Sequence, residues 1–264
     1  MLEKSDRGEM MVIREGRRTM PIAWVHTLPA TFEGRARMMV QNAMAAAAAA
    51  HVAGAHLHDI RQGLRSFTTS IYQAPGRLNV FDLDGVKVLV DYAHNAAGLE
   101  MLGDFVERLT SDAPGGGRPG EPSWSANLRV AVVATAGDRR DEDMRALGRV
   151  AARYFDDVIV REDRSTRGRD RGETAGLILE GVRAAMAEGA RAGHVEVVVD
   201  EMEATRRALD RSRSGDLVVL CVDHANEVFK ELEARRSLAA PSVLAPGDDG
   251  KVEAAGGDPD LLGA

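Results

Sequence analysis

The fold of this chain is constrained most strongly by four short, almost uninterrupted apolar runs. Each run is separated from the next by a stretch typical of a helix. The runs are LRVAVVATA, DDVIVRE, HVEVVVD and DLVVLCVD, at 128–136, 156–162, 194–200 and 216–223. Strands that are apolar along their whole length are buried on both faces, and strands that alternate with helices form parallel sheets. The sequence therefore predicts an α/β fold, with a mostly parallel, Rossmann-like sheet and helices on both of its faces.

A β-hairpin is predicted just before these runs. The segment LNVFDLDGVKVLVD, at 78–91, places apolar residues on both sides of Asp84-Gly85, and Asp-Gly between such runs is a strong hairpin signal. The turn-forming pair Pro75-Gly76 precedes it, so we expect a domain boundary near 72–76. We predict domains at 1–73 and 74–237, followed by a disordered tail at 238–264 that is rich in Pro, Gly and Asp.

The first domain is expected to be a partial α/β unit. Two short apolar runs about Glu15-Gly16 suggest a hairpin within 10–25, and helices are predicted at 34–54 and 56–66. The first helix contains six consecutive alanines, 45–50, whose small side chains permit close packing against a neighbour. We also expect the apolar faces of 1–70 to be partly exposed and prone to association.

The segment 111–127 is predicted to be a long, mobile surface loop because it is rich in Gly, Pro and Ser. It contains a G-x-G-x-x-G match at Gly115, Gly117 and Gly120. A dinucleotide-binding fingerprint must follow a strand and open a helix, whereas this match follows a helix and contains Pro119. We therefore attribute the match to chance composition.

Composition excludes several classes of protein. The formal charge is −7 and only 4% of the residues are aromatic, which argues against a general nucleic-acid binder. Cys221 is the single cysteine, so an intrachain disulfide and a cysteine zinc site are excluded. The first residues are charged where a signal peptide would be apolar, and no window is long and apolar enough to span a membrane. A cytoplasmic location is expected.

Polar residues directly follow four of the predicted strands. They lie in DYAHN, GDRR, REDRSTRGRDRGE and DHAN, at 91–95, 137–140, 161–173 and 223–226. Ligands of open parallel sheets bind outside the carboxyl ends of the strands, where loops and helix N-termini converge. We therefore expect these segments to line one crevice.

Each of these residues also has a purely structural alternative. Asp91 and Asp223 could cap helices, since aspartate is a preferred N-cap, and His94 and His224 could be ordinary surface histidines. The arginine-rich run could be a solvated loop. We favour anion recognition for that run because TRGRDRG, at 166–172, alternates glycines with guanidinium groups that bind carboxylate or phosphate.

Several nucleotide and hydrolase motifs are absent from the sequence. It contains no G-x-x-x-x-G-K-[ST] P-loop, no H-E-x-x-H, no G-x-S-x-G and no metal-ligand cluster of recognisable spacing. The sequence therefore offers no P-loop cradle for the β- and γ-phosphates of ATP.

The segments APGRLN (74–79) and VDYAHN (90–95) resemble the entry to the C-terminal domain of the Mur ligase superfamily. Within it, GDRRDEDMRALGR and REDRSTRGRDRGE are similar to stretches of the C-terminal half of the cyanophycin synthetase family. GRARMMVQNAMAAAAAA and DIRQGLRSF resemble the end of that family's central ATP-binding domain. The resemblance covers about 9–236 and makes the first domain a remnant of the central domain.

This resemblance implies an ATP-dependent amide ligase. In such enzymes a carboxylate is phosphorylated by ATP with Mg²⁺, and an amine attacks the acyl phosphate; in the cyanophycin synthetases, arginine is joined to the side-chain carboxylates of an aspartate polymer. By position, Arg77 resembles a catalytic arginine that reaches the ATP phosphates, and Asp91 the aspartate that binds the ribose. His94 and Asn95 match the nucleotide-facing pair, while the usual proline of the motif is Ala96 here.

By the same resemblance, a second set of residues is expected to bind substrate, mostly toward the acceptor, namely Asp138, Arg139, Arg167, Arg169, Arg171 and His224. Relative to the family pattern, this sequence begins after the P-loop, so the phosphate cradle and the magnesium ligands are expected on a missing N-terminal half. Phosphoryl transfer depends on positioning and charge neutralisation, and we therefore expect no turnover from the isolated chain.

Two other functions remain open. The chain could be a non-catalytic module that binds a nucleotide or an acidic polymer. It could also belong to a Mur-type ligase of the peptidoglycan or folylpolyglutamate class, which would require a different acceptor loop.

Overall fold

The first part of the chain forms a small antiparallel sheet with two helices. The structure is a computed structural model that describes residues 1–110, 124 and 126–239. Its first sheet has the order β1-β2-β3, and its strands are Leu2–Ser5, Gly8–Glu15 and Arg18–Trp24. The helices α1 and α2 follow at Arg37–Val52 and Leu57–Ser66. The predicted hairpin and both predicted helices are confirmed, whereas β1 was not predicted.

The alanine run of α1 is less buried than its sequence predicts. Ala47 packs with Met11 and Ile60 in the small core of this unit. Ala45, Ala46, Ala48 and Ala49 are exposed, and so is Val52. Close packing therefore holds for one side of the run only, in agreement with the expected exposure of apolar faces in 1–70.

The second sheet carries six strands. In chain order, β4 to β9 are Asn79–Leu83, Val86–Asp91, Arg129–Val133, Asp157–Val160, His194–Val197 and Leu217–Cys221. Their order in the sheet is β4-β5-β9-β6-β7-β8, and every pair except the β4–β5 hairpin is parallel. The predicted α/β class, the mostly parallel sheet and the hairpin at Asp84-Gly85 are confirmed.

Helices cover both faces of this sheet. They are α3 to α7, at Ala96–Thr110, Asp141–Tyr154, Glu173–Ala187, Glu201–Arg211 and Ala225–Ala239. Successive residues of a strand point to opposite faces. Accordingly, Val219 and Cys221 of the central strand β9 pack with α3, α4 and α5, whereas Val218 and Leu220 pack with α6 and α7. This arrangement explains why the strands are apolar without interruption.

The parallel strands end at one edge, which we call the carboxyl edge. Asp91 pairs with Cys221 across β5 and β9, and Val133 pairs with Val160 across β6 and β7. The loops that follow these strands therefore start side by side. Within the described residues, no helix is both long and apolar enough to cross a membrane. The predictions for the loop 111–127 and the tail 238–264 fall almost entirely outside the described residues.

Candidate functional site

The four segments singled out in the sequence meet at the carboxyl edge. The backbone N–H of Val222 donates to the Asp91 carbonyl at 2.9 Å, and that of Arg161 donates to the Val133 carbonyl at 3.0 Å. The buried Thr135 hydroxyl donates to the His94 carbonyl at 2.7 Å, which ties the end of β6 to the loop after β5. The structure thus brings together the segments that the strand pattern predicts to share an edge.

Arg77 enters this edge on a tightly packed turn. Gly76 adopts φ +71°, and a side chain there would overlap the Tyr92 ring, because a Cβ would lie 2.1 Å from Tyr92 Cε2. The Arg77 guanidinium carbon lies 5.3 Å from the centroid of the same ring, a cation–π distance. The glycine therefore allows the ring and the guanidinium group to stack beside the end of β5.

Asp91 fixes this turn from the end of β5. Its Oδ2 accepts a hydrogen bond from the Leu78 N–H at 3.1 Å, and its Oδ1 accepts one from the Ala93 N–H at 2.8 Å. Burial raises the pKa of Asp91 above its ordinary value, and these N–H groups together with the Arg77 charge oppose that shift. The structural alternative of helix capping is not what is observed, since the carboxylate binds Leu78, the residue after Arg77, and Ala93 in the loop after β5.

The start of α3 places the other two residues of the DYAHN segment. His94 is exposed, and its Nδ1 lies 2.9 Å from the Tyr92 carbonyl oxygen. The Asn95 Oδ1 accepts from the Gly98 N–H at 2.8 Å, so Asn95 caps α3. Both residues lie where a helix N-terminus meets the edge, a place that favours anions.

The arginine-rich loop is bonded mainly to the chain itself. Arg167 donates to Asp138 at 2.7 Å, and the hydrogen bond from Arg167 lowers the pKa of that carboxyl. Arg169 donates to the Gly137 carbonyl at 2.7 Å and also binds two nearby carboxylates. Arg171 donates to the Asp163 carbonyl at 2.7 Å. These guanidinium groups hold the loop, and acceptor contact by them stays a prediction.

Arg77 and Arg139 differ from these paired arginines. Both are exposed at the carboxyl edge, and neither guanidinium group donates a hydrogen bond to any residue that the structure describes. Guanidinium groups bind phosphate and carboxylate bidentately. Of the arginines named in the sequence, these two are therefore the ones placed to meet an external anion without breaking a bond within the protein.

A buried cluster of charged residues lies beside them, and sequence reasoning missed most of it. The side chains of Arg161 and Glu201 are each only 2% exposed, and their charged ends lie 3.6 Å apart. Arg161 donates to Asp223 Oδ2 and to the Cys221 carbonyl, both at 2.8 Å. Asp223 therefore binds a buried arginine instead of capping α7. The adjacent acidic residues Asp200 and Glu201, where the run at 194–200 ends, were the available signal for Glu201.

Glu162 is the second buried carboxylate at this edge. Its side chain is 1% exposed and accepts from the N–H groups of Gly172 and Ala175 at 2.9 and 3.1 Å, where α5 begins. A carboxylate at that position also complements the positive end of the helix. Glu162 thus holds the end of the arginine-rich loop and the first turn of α5 together.

The donor set fits a nucleotide better than a metal ion. Two exposed guanidinium groups that donate no hydrogen bond to the described residues suit phosphates, as does a helix N-terminus, and the Asp91 carboxylate near Arg77 suits a hydroxyl. Within the described ranges, no group of three or more His, Cys, Asp or Glu side chains is arranged to hold a metal ion. The residues present therefore do not form a Mg²⁺ site by themselves.

Comparison with known proteins identifies a matching family. Residues 76–222 match the family described as Mur ligase, glutamate ligase domain. The match begins at the Gly76 turn and ends one residue after β9, so it contains most of the carboxyl edge.

Curated relatives give a closer comparison. The chain is 40% identical to a cyanophycin synthetase of Crocosphaera subtropica over 226 residues, which cover 86% of this chain and 24% of that protein. It is also 40% identical to a cyanophycin synthetase of Synechocystis over 226 residues, with the same coverage. The chain therefore spans about a quarter of the length of these relatives.

Among solved structures, that of E. coli FolC in complex with DHPP and ADP is similar, with a TM-score of 0.58. The two share 19% identity, and the alignment covers 89% of this chain and 46% of FolC. At this identity the comparison supports the fold alone.

Proposed function

The chain belongs to the Mur ligase family, and on that premise we propose that it is the C-terminal part of an ATP-dependent amide ligase of the cyanophycin synthetase type. The proposed reaction joins arginine to an aspartate side-chain carboxylate of an acidic polymer primer. ATP with Mg²⁺ supplies the phosphoryl group that activates the carboxylate as an acyl phosphate, and the amine of arginine displaces phosphate from it.

Arg77 carries the nucleotide part of the proposal. It is exposed at the carboxyl edge, it stacks on Tyr92, and it donates no hydrogen bond to the described residues, so it can bind the ATP phosphates without breaking a hydrogen bond. Asp91 can still accept from a ribose hydroxyl, because a carboxylate has about four lone-pair sites and three are used by the N–H groups of Leu78, Tyr92 and Ala93. His94 and Asn95 would line the same end of the nucleotide.

Acceptor recognition is proposed for the loops after β6 and β7. Arg139 is exposed and interacts with Asp138 and Asp143 through charge alone, with no hydrogen bond among the described residues, so it suits a polymer carboxylate. Arg167 can join it by leaving the exposed Asp138. Arg169 and Arg171 serve mainly to hold the loop in place, since each is bonded to backbone carbonyls.

We propose that residues 1–73 belong to the central ATP-binding domain and 74–237 to the C-terminal domain. The matched residues make up only 24% of the curated relatives, and the sequence contains no P-loop motif. The phosphate cradle and the Mg²⁺ ligands would come from a segment outside this sequence. The chain by itself is then expected to bind substrates but not to turn over.

Reconstitution tests this proposal. The chain is mixed with the remaining three quarters of the Synechocystis relative, ATP, Mg²⁺, an aspartate-containing primer and labelled arginine. We expect incorporation only when both pieces are present, and a decrease of roughly 100-fold for Arg77→Ala, the effect of losing one charge-stabilising donor. Arg149→Ala removes an exposed arginine of α4 and should have no effect.

Two results would contradict the proposal. The first is full activity of the Arg77→Ala variant. The second is binding of ATP or an aspartate-rich peptide by folded pieces that never incorporate arginine, which would indicate the non-catalytic module. Incorporation of another amino acid into a peptidoglycan or folate acceptor would instead indicate a different Mur-type ligase.

A further inference from the structure

His224 and Glu201 form a histidine–carboxylate pair at the carboxyl edge. The His224 Nδ1 lies 2.7 Å from Glu201 Oε2. The other oxygen of Glu201, Oε1, accepts from the backbone N–H groups of Asp223 and His224 at 2.7 and 3.2 Å. The carboxylate thus holds both the ring and the backbone of the same residue, so the imidazole has a fixed orientation.

The burial of Glu201 determines which ring nitrogen of His224 carries the proton. The Glu201 side chain is 2% exposed and lies 3.6 Å from the buried Arg161, so its negative charge is matched. An ionised carboxylate can only accept hydrogen bonds. Nδ1 must therefore be the donor, which leaves Nε2 of the neutral ring with a free lone pair.

The other end of the His224 ring is accessible. The His224 side chain is 36% exposed, and its residue lies between β9 and α7 on the edge that carries Arg77 and Asp91. Glu227, at the start of α7, also interacts with His224 through its charge, but Arg164 donates to both of its carboxylate oxygens. Arg161 binds Asp223. His224 is thus the basic group of this cluster that is not committed to an ion pair on its outer side.

We propose that His224 is the proton acceptor for the incoming amine, with Glu201 as its positioning residue; this inference rests on the proposed ligase function. The ammonium group of the amino acid transfers one proton to Nε2 and becomes a neutral amine. The amine nitrogen then forms a bond to the acyl phosphate carbon, and the carbon–oxygen bond to phosphate breaks. The phosphate takes up the second proton of the amine and leaves as hydrogen phosphate, so the amide nitrogen keeps one hydrogen. The proton on His224 passes to solvent, which restores the neutral ring.

The chain contains a matched control for this pair. His194 Nδ1 lies 2.8 Å from Asp157 Oδ1, which is also a histidine–carboxylate contact, although Arg211 lies 3.3 Å from the same nitrogen. It lies at the amino ends of β7 and β8, away from the carboxyl edge, and His194 is 51% exposed. The same substitution at His194 therefore changes a similar pair without touching the proposed site.

The first experiment measures the tautomer by ¹⁵N NMR of the histidine rings in the chain, and it does not depend on activity. The neutral His224 ring should carry its proton on Nδ1, with the signal assigned by its loss in His224→Gln. In Glu201→Gln the amide can donate to Nδ1, so the signature should change to the Nε2–H tautomer. An Nε2–H tautomer in the unmodified chain would overturn the proposal.

The second experiment compares two amines in the reconstituted ligase. Arginine is largely an ammonium ion at neutral pH and needs a proton acceptor, whereas hydroxylamine is largely unprotonated and traps the acyl phosphate without one. His224→Gln should lower arginine incorporation by roughly 100-fold or more, as for loss of a general base, and leave hydroxamate formation at its original rate. Glu201→Gln should act in the same direction, and His194→Gln should change neither rate.

The outcomes separate this inference from the proposed function. Equal loss of both products in His224→Gln would assign His224 to binding or structure, and an unchanged arginine rate would exclude it as the proton acceptor; either result overturns the inference. If the unmodified reconstituted protein forms neither product, the proposed function fails instead, while the NMR measurement still reports on the His224–Glu201 pair.

Discussion

The Tyr92 ring occupies the space that a side chain at residue 76 would need. A Cβ on Gly76 would lie 2.1 Å from Cε2 and 2.5 Å from Cδ2 of the ring, and the glycine adopts φ +71°. This contact joins the linker before β4 to the loop after β5. It therefore determines where Arg77, the next residue, enters the carboxyl edge.

Gly76→Ala should displace Tyr92 and destabilise the fold. The positive φ alone should cost about 1 kcal/mol, and the overlap with the ring a further ~1–3 kcal/mol. Gly16→Ala is the control, because Gly16 has a similar φ of +57° and no heavy atom within 4 Å of its Cβ position. Urea unfolding measures both, and equal losses of stability would show that the ring contact is unimportant.

Gly137→Ala should loosen the arginine-rich loop. A Cβ there would lie 2.0 Å from the Thr166 carbonyl oxygen, so the backbone of the loop would have to move, at a cost of ~1–3 kcal/mol. Gly176 on α5 has no heavy atom near its Cβ position, and Gly176→Ala should be neutral or stabilise the helix by about 1 kcal/mol. Thermal unfolding distinguishes the two; an unaffected Gly137→Ala would refute the close approach.

Glu162→Gln should destabilise the start of α5. The amide nitrogen cannot accept from Gly172 or Ala175, so one buried N–H loses its partner at a cost of ~1–3 kcal/mol. The control is Glu180→Gln, which removes a surface pair with Arg145 and should cost about 0–1 kcal/mol. If urea unfolding gives the same free energy change for both variants, Glu162 does not hold the helix as described.

The Asp138–Arg167 ion pair should persist at pH values below the ordinary pKa of an aspartate. The hydrogen bond from Arg167 lowers the folded-state pKa of Asp138 below the unfolded value of about 3.9. The pair is then fully present above that value and is lost as the pH falls through the lower, folded pKa. The ¹³C carboxyl shift of Asp138 should therefore titrate with a midpoint at lower pH than that of an ordinary aspartate. Arg167→Gln should return this midpoint toward the ordinary value. An unchanged midpoint would contradict the pairing.

The fold was largely predictable because the burial of apolar side chains, which stabilises it most, leaves a local pattern in the sequence. Each strand buried on two faces appears as a continuous apolar run, and the Asp84-Gly85 turn marks its hairpin. The order of the strands was not predictable, since β9 enters between β5 and β6 and the apolar pattern carries no information about neighbours. Strand β1 was missed because LEKS contains one apolar residue.

The location of the site at the carboxyl edge was predictable, but only some of its side-chain contacts were. Parallel strands bring their carboxyl ends together whatever their order, so the four polar segments had to meet. The pairing of Arg169 with backbone carbonyls depends on loop geometry, which spacing in the sequence does not show. The contact between Arg161 and Glu201 was missed because charged residues are usually exposed, whereas these two are buried against each other.

Mapping ligands onto the carboxyl edge tests the central claim most directly. Backbone NMR shifts of the chain are followed during titration with ATP and, separately, with arginine. We predict that ATP perturbs 76–78 and 91–95 and that arginine perturbs 223–227. Perturbations at the amino ends of β7 and β8, or an undisturbed carboxyl edge at saturating ligand, would contradict the account.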